Sequence, residues 1–191
     1  MVFGSGMAAI TSMLRVLAEP QSVVVVPADG YYQVRRYATE HLGGLGVTVI
    51  EADSSEIFDA AARADLVVAE TPTNPGLDVV DLNRLAAVCH SRGATLVVDN
   101  TTATPLGQQP LSLGADLVVA SAAKALGGHS DVLAGYVAGI QPDLIAAIER
   151  ERLLSGAILG PFEAWLVLRS LGSAGLRFQR QCECGRAALV K

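Results

Sequence analysis

The chain has 191 residues, a formal net charge of −5, 51% hydrophobic residues and 17% charged ones. That is enough apolar material for one domain with a well-buried core, and it excludes a disordered or fibrous chain. Scattered basic residues argue against nucleic acid or an anionic membrane as partner, no apolar run approaches the ~20 residues of a bilayer span, and no signal layout opens the chain, so a cytoplasmic protein working on small molecules is expected.

Residues 1–3 leave almost no room for an element before the turn Gly4-Ser5-Gly6, which opens a helix predicted over 7–17. The free N–H groups and positive dipole end of such a helix suit a phosphate. The same letters match G-x-G-x-x-A, but a dinucleotide fingerprint requires a full strand ahead of it. Apolar runs at 23–26, 47–50, 66–69, 95–99 and 117–120 read as buried strands, with helices predicted at 32–41, 56–62 and 81–91. This βαβ alternation predicts an α/β fold, a mostly parallel sheet between helices, with ligands bound beyond the carboxyl ends of the strands. After Gly139 only helices are predicted, over 142–154, 161–171 and 175–191.

The strand exits carry the chemistry. Tyr31 follows the first long run and can stack on a planar ring or serve as a plain loop residue. Glu70-Thr71-Pro72-Thr73-Asn74-Pro75 follows another, with Asn74 offering both a donor and an acceptor in a backbone stiffened by prolines. Asp99 ends the run Leu96-Val97-Val98, and Lys124 follows Val118-Val119-Ala120-Ser121 with a glycine-rich segment behind it. Singly, Asp99 reads as a helix cap and Lys124 as a solvated lysine. Together, at one edge of the sheet, they point to pyridoxal 5'-phosphate (PLP), held by the amine as a Schiff base while the carboxylate keeps the pyridine nitrogen protonated. Ser121 could add a hydroxyl to the phosphate. Cys89, Cys182 and Cys184 are too few for a disulfide framework, and His41, His90 and His129 sit in unrelated segments, so no metal site is expected.

Four of these segments, in order, resemble the Cys/Met-metabolism PLP-dependent enzymes, which include cystathionine γ-lyase and cystathionine γ-synthase. They are Ser5 to Ala9, Glu70 to Pro75, Val98 to Pro105 and Ser121 to Asp131. The resemblance extends from about Phe3 to about Cys182 and is most similar, at Pro27 to Tyr37 and Asn100 to Leu113, to actinobacterial-type cystathionine γ-lyases. It implies the large domain of an aspartate-aminotransferase-like (fold type I) enzyme over 1–172, with 173–191 opening a further region.

The resemblance further implies Lys124 and Tyr31 as catalytic residues, Lys124 as the Schiff-base lysine and proton shuttle and Tyr31 stacked on the ring. Gly6 and Met7 would donate backbone N–H groups to the phosphate, Ser121 a hydroxyl, and Asp99 would pair with the pyridine nitrogen. Asn74 would lie near the phenolic oxygen and substrate carboxylate, and Thr101 on the ring face opposite Tyr31. The implied substrate is cystathionine or a homoserine derivative, and the implied assembly a homo-oligomer. The implied reaction is γ-elimination, with cystathionine γ-synthase or a homoserine-ester sulfhydrylase as alternatives and a non-catalytic remnant as a rival of another class.

Four departures matter. Ala123 stands where the family has a threonine before the lysine, removing one phosphate hydroxyl. The family's N-terminal tyrosine and arginine and its C-terminal carboxylate-binding arginine have no counterpart, and Gln181 to Arg186 differs from the family's continuation, so truncation at both ends is expected.

Overall fold

The computed structural model describes residues 1–189. Five apolar runs form parallel strands: β2 (Val23–Pro27), β3 (Thr48–Ala52), β4 (Leu66–Glu70), β5 (Thr95–Asp99) and β6 (Leu117–Ser121). Two further strands, β7 (Gly135–Gly139) and β1 (Val2–Phe3), add antiparallel at one edge and complete a seven-stranded sheet ordered β1-β7-β6-β5-β4-β2-β3.

Helices cover both faces. α1 (Gly6–Leu17), α2 (Tyr32–Tyr37) and α6 (Pro142–Leu154) lie with Phe3, Met13, Val24, Val97 and Ile148 in one core layer. α3 (Ile57–Ala61) and α4 (Leu82–Ser91) pack with Val25, Val67, Leu85, Leu96 and Val98 in the other. Successive strand side chains point to opposite faces, so Val97 and Val98 enter different layers. Because both faces are buried, the strands read as unbroken apolar runs, which is why the sequence reveals them. The remaining helices are α5 (Thr104–Gly107), α7 (Pro161–Leu171) and α8 (Ala174–Leu189). Of the helix predicted over 175–191, residues 190 and 191 lie outside the described residues.

Four expectations are corrected. Residues 1–3 do hold an element, because Val2 and Phe3 pair with Tyr136 and Gly135. Strand β7 escaped prediction because its sequence, GYVAG, lacks the β-branched density of its neighbours. Its glycines answer to proximity instead: a Cβ at Gly135 would overlap the Ser5 carbonyl and lie 2.8 Å from Gly6 Cα. The segment predicted as a helix over 32–41 is α-helical only to Tyr37 and then widens into a π turn at Ala38–Leu42, which keeps both Ala38 and Leu42 in the core. Strand β3 begins at Thr48 rather than Val47.

The start of α1 is fixed by Ser5, whose Oγ accepts from the Ala8 N–H at 3.0 Å. The strand entering this turn, β1, pairs antiparallel with β7, whereas a dinucleotide fingerprint follows a parallel strand of a βαβ unit. Among the described residues no helix is long and apolar enough to cross a membrane.

The close approach of β7 to α1 generates a prediction. Gly135→Ala should lose about 1–3 kcal/mol of stability in urea unfolding, as overpacking does. Gly44→Ala, at a position with nothing within 4 Å of the added carbon, should change it by less than about 0.5 kcal/mol.

Candidate active site

At the carboxyl ends of β4, β5 and β6, where the start of α1 meets them, the chain encloses a cavity of about 690 Å³. Gly6, Met7, Tyr31, Asn74, Asp99, Thr101, Ser121 and Lys124 all line it, together with Ala123 and Glu70. One site therefore collects every residue singled out from the sequence.

Asp99 is buried, 6% exposed, at the last position of β5. Its Oδ1 accepts from the Thr101 N–H at 2.9 Å and from the Thr101 hydroxyl at 2.6 Å. Burial pushes its carboxyl above the ordinary range, and the two Thr101 bonds pull it back. Oδ2 accepts no hydrogen bond among the described residues, so one oxygen stays open to a donor in the cavity. Thr101 Oγ1 in turn accepts from the Ser121 N–H at 2.8 Å, joining the ends of β5 and β6.

Ser121 faces the N-terminus of α1 at the other side of the cavity. A Cβ at Gly6 would stand 2.9 Å from Ser121 Cβ, so only glycine allows the helix to come this close. Ser5 caps Ala8, while the N–H groups of Gly6 and Met7 find no acceptor among the described residues. Two free amides, a helix dipole and the Ser121 hydroxyl make a seat for an anion.

Lys124 is exposed in the turn after β6, a turn closed by Gly127 N–H to Ala122 O at 2.8 Å and Gly128 N–H to Lys124 O at 2.7 Å. Asn74 is exposed on the loop beyond β4. That loop is braced by Thr71 Oγ1 accepting from Val80 N–H and by Gln108 Nε2, which donates to both Thr71 O and Asn100 Oδ1 at 3.1 Å. Tyr31 caps α2 with its ring edge-on to Tyr32, centroids 5.3 Å apart. The Thr101 hydroxyl donates to Asp99 and accepts from the Ser121 N–H.

Glu70 was missed, although it ends the β4 run as Asp99 ends β5, and that shared pattern is the signal that could have found it. The two are paired in register. Glu70 Oε2 accepts from the Tyr31 N–H at 2.6 Å and so holds the aromatic loop over the cavity. Burial first, then the nearby Asp99 charge, raises its carboxyl from 4.5 to about 7, against the Tyr31 bond. Tyr136 of β7, likewise overlooked, is pushed to about 12 by burial and by Asp99, and stays a neutral phenol.

These groups fit a phosphorylated pyridine aldehyde: an anion seat, an amine, an aromatic and a buried carboxylate with a free oxygen. Among the described residues no cluster of three or more His, Cys, Asp or Glu side chains could hold a metal.

A seven-stranded, mostly parallel sheet with this cavity defines the large domain of a fold-type I PLP enzyme. Residues 1–188 match the model of the Cys/Met metabolism PLP-dependent enzyme family, and the chain belongs to that family. It is 48% identical over 183 residues to a Streptomyces coelicolor protein provisionally named cystathionine gamma-lyase, covering 95% of this chain and 46% of that one. It is 40% identical over 186 residues to the chloroplastic cystathionine gamma-synthase 1 of Arabidopsis thaliana, covering 95% of this chain and 33% of the other. Among solved structures, the cystathionine gamma lyase of Micromonospora echinospora superposes with a TM-score of 0.86 at 40% identity, over 92% of this chain and 47% of that one. The chain spans half or less of the length of these relatives.

Glu70 gives the site a pH signature. The folded state binds its proton more tightly than the unfolded chain does, so its contribution to stability is complete below about 4.5, falls as pH rises to about 7, and is constant above. Glu70→Gln keeps an acceptor for Tyr31 without this titration. Thermal unfolding across about pH 4.5 to 8 should show the wild type losing stability relative to the variant as pH rises. Parallel curves would contradict the buried-acid account.

Proposed function

We propose that residues 1–172 form the cofactor-binding domain of a PLP-dependent trans-sulfuration enzyme that cleaves cystathionine by γ-elimination, with 173–191 opening a further region. The observation that carries the reading is the convergence of Lys124, the open oxygen of Asp99 and the free amides of Gly6 and Met7 on one cavity. The choice of γ-elimination is supported by the 48% identity to the Streptomyces protein. The second reading, cystathionine γ-synthase or O-acylhomoserine sulfhydrylase, is supported by the Arabidopsis match.

When bound, PLP supplies an electron sink that stabilises negative charge at the substrate α-carbon. Gly6, Met7 and Ser121, which line the cavity, would hold its phosphate, Tyr31 would cover its ring, and Asn74 would meet its phenolic oxygen and the substrate carboxylate. Asp99 Oδ2 would hold the proton on the ring nitrogen, and that cation would draw the carboxyl's pKa down against its burial. Lys124 Nζ would hold the cofactor covalently, and once released by the incoming substrate amine it would be the free base that takes and returns the α-proton. Cystathionine and water then yield cysteine, 2-oxobutanoate and ammonia. The whole protein acts as a cytoplasmic homo-oligomer, a reading supported by three unpaired cysteines and by the exposed Phe162, Trp165 and Leu168 on α7.

Borohydride reduction of the PLP-saturated chain followed by peptide mapping should put the pyridoxyl label on Lys124. A label elsewhere, or none in folded protein, contradicts the assignment. Product analysis separates the chemistries: 2-oxobutanoate from cystathionine supports the lyase, thioether formation from an activated homoserine supports the synthase, and no turnover by a labelled chain supports the non-catalytic rival.

Ala123 lines the same cavity, so Ala123→Thr should restore a phosphate hydroxyl. By equilibrium dialysis PLP should bind about tenfold tighter, ~1.4 kcal/mol, with plain pyridoxal unaffected. Equal gains for both ligands would show that residue 123 does not face the phosphate.

A further inference from the structure

Arg177, on α8, spends its whole charge on oxygens that carry none. Its Nη1 donates to Ala125 O at 2.6 Å, and its Nη2 donates to Leu126 O at 2.8 Å and to Ser170 O at 2.9 Å. Nε completes the set on Ser173 Oγ at 3.1 Å. No carboxylate pairs with it among the described residues. Ala125 and Leu126 are the two residues immediately after Lys124, and the turn's own closing bonds go to the carbonyls of Ala122 and Lys124 instead. Without the guanidinium these carbonyls, one of them on the buried Leu126, lose their donors.

The loop is shaped to receive that side chain. Gly128 has φ of +70°, and a Cβ built there would overlap the Arg177 guanidinium. A second tie runs parallel: His129 Nδ1 lies 2.7 Å from Gly127 O and 3.2 Å from the hydroxyl of Ser170, itself buried at the end of α7. The lysine turn is thus fastened to the α7–α8 junction by bonds that a planar five-donor fork can make at once and a lysine ammonium cannot.

We infer that Arg177 is a positioning residue, clamping the turn so that the Lys124 amine points into the cavity at the angle its covalent attachment to the cofactor requires. The inference rests on the proposed role of Lys124. Misplacing a reacting group by about 1 Å costs on the order of a hundredfold in rate, so a loosened turn should slow attachment without disturbing the phosphate and ring seats.

The test compares Arg177→Met and Arg177→Lys with the wild-type chain in three measurements. Amide hydrogen exchange without cofactor should show faster exchange at 122–128 in Arg177→Met, with β4, β5 and β6 unchanged. Borohydride quenching at successive times after PLP addition should show labelling of Lys124 slowed about tenfold to a hundredfold in Arg177→Met and less in Arg177→Lys. Pyridoxine 5'-phosphate, which has no aldehyde and cannot attach, should bind all three proteins within about twofold of one another if the seats are intact.

Unchanged exchange or unchanged labelling rate in Arg177→Met overturns the inference. So does an equal loss of pyridoxine 5'-phosphate and PLP binding, which would mark a purely structural arginine. Absence of label on Lys124 in the wild type overturns the functional reading and this inference together, whereas a labelled wild type with an indifferent Arg177→Met overturns this inference alone.

Discussion

The Thr101 hydroxyl is the bond on which the site depends. It donates to Asp99 at 2.6 Å and accepts from the Ser121 N–H at 2.8 Å, so one oxygen fixes the carboxylate of β5 and the last residue of β6 relative to each other. A hydroxyl can do both at once; an alanine there would leave a buried carboxylate with one bond and a strand-end amide with none. The two ends of the proposed ligand, ring nitrogen and phosphate, are therefore set apart by a rigid protein distance rather than by loop motion. Gly6 and Gly135 complete the arrangement by letting α1 and β7 close on the same strand end.

The electrostatics follow from this placement. Glu70 and Asp99 stand in register on adjacent strands, both short of water, and the structure tolerates the pair because burial and the charge of Asp99 favour the protonated form of Glu70 near neutrality. A cationic ligand group beside Asp99 Oδ2 would offset the burial of that carboxylate. Glu70 has a separate mechanical role, because its bond to the Tyr31 N–H carries the aromatic loop on the sheet itself. The cavity wall is thus built from strand ends, with the loops braced on them.

Much of this was legible in the chain. An apolar run that stops at an ionisable residue is conspicuous when both sheet faces are buried, and that pattern exposed Asp99 and, three residues beyond its strand, Lys124. Tyr31 and Asn74 were placed by the same logic of strand exits. Glu70 obeyed the rule and was passed over because the prolines after it drew the reading to the loop. β1 and β7 were illegible for a physical reason: a two-residue strand has no period, and the glycines of β7 record the closeness of Ser5, Gly6 and Leu117, which are distant in sequence. Arg177 left no sequence signal, since three of its four bonds go to backbone carbonyls that any residue could supply.

The central claim is that Asp99, fixed by Thr101, holds a proton on a pyridine nitrogen. Nitrogen-15 NMR of the chain loaded with PLP labelled at the ring nitrogen reads that proton directly. A protonated nitrogen in the wild type, lost in Asp99→Asn while the borohydride label stays on Lys124, is the result predicted. A neutral nitrogen in the wild type, or one equally protonated in both proteins, would contradict it.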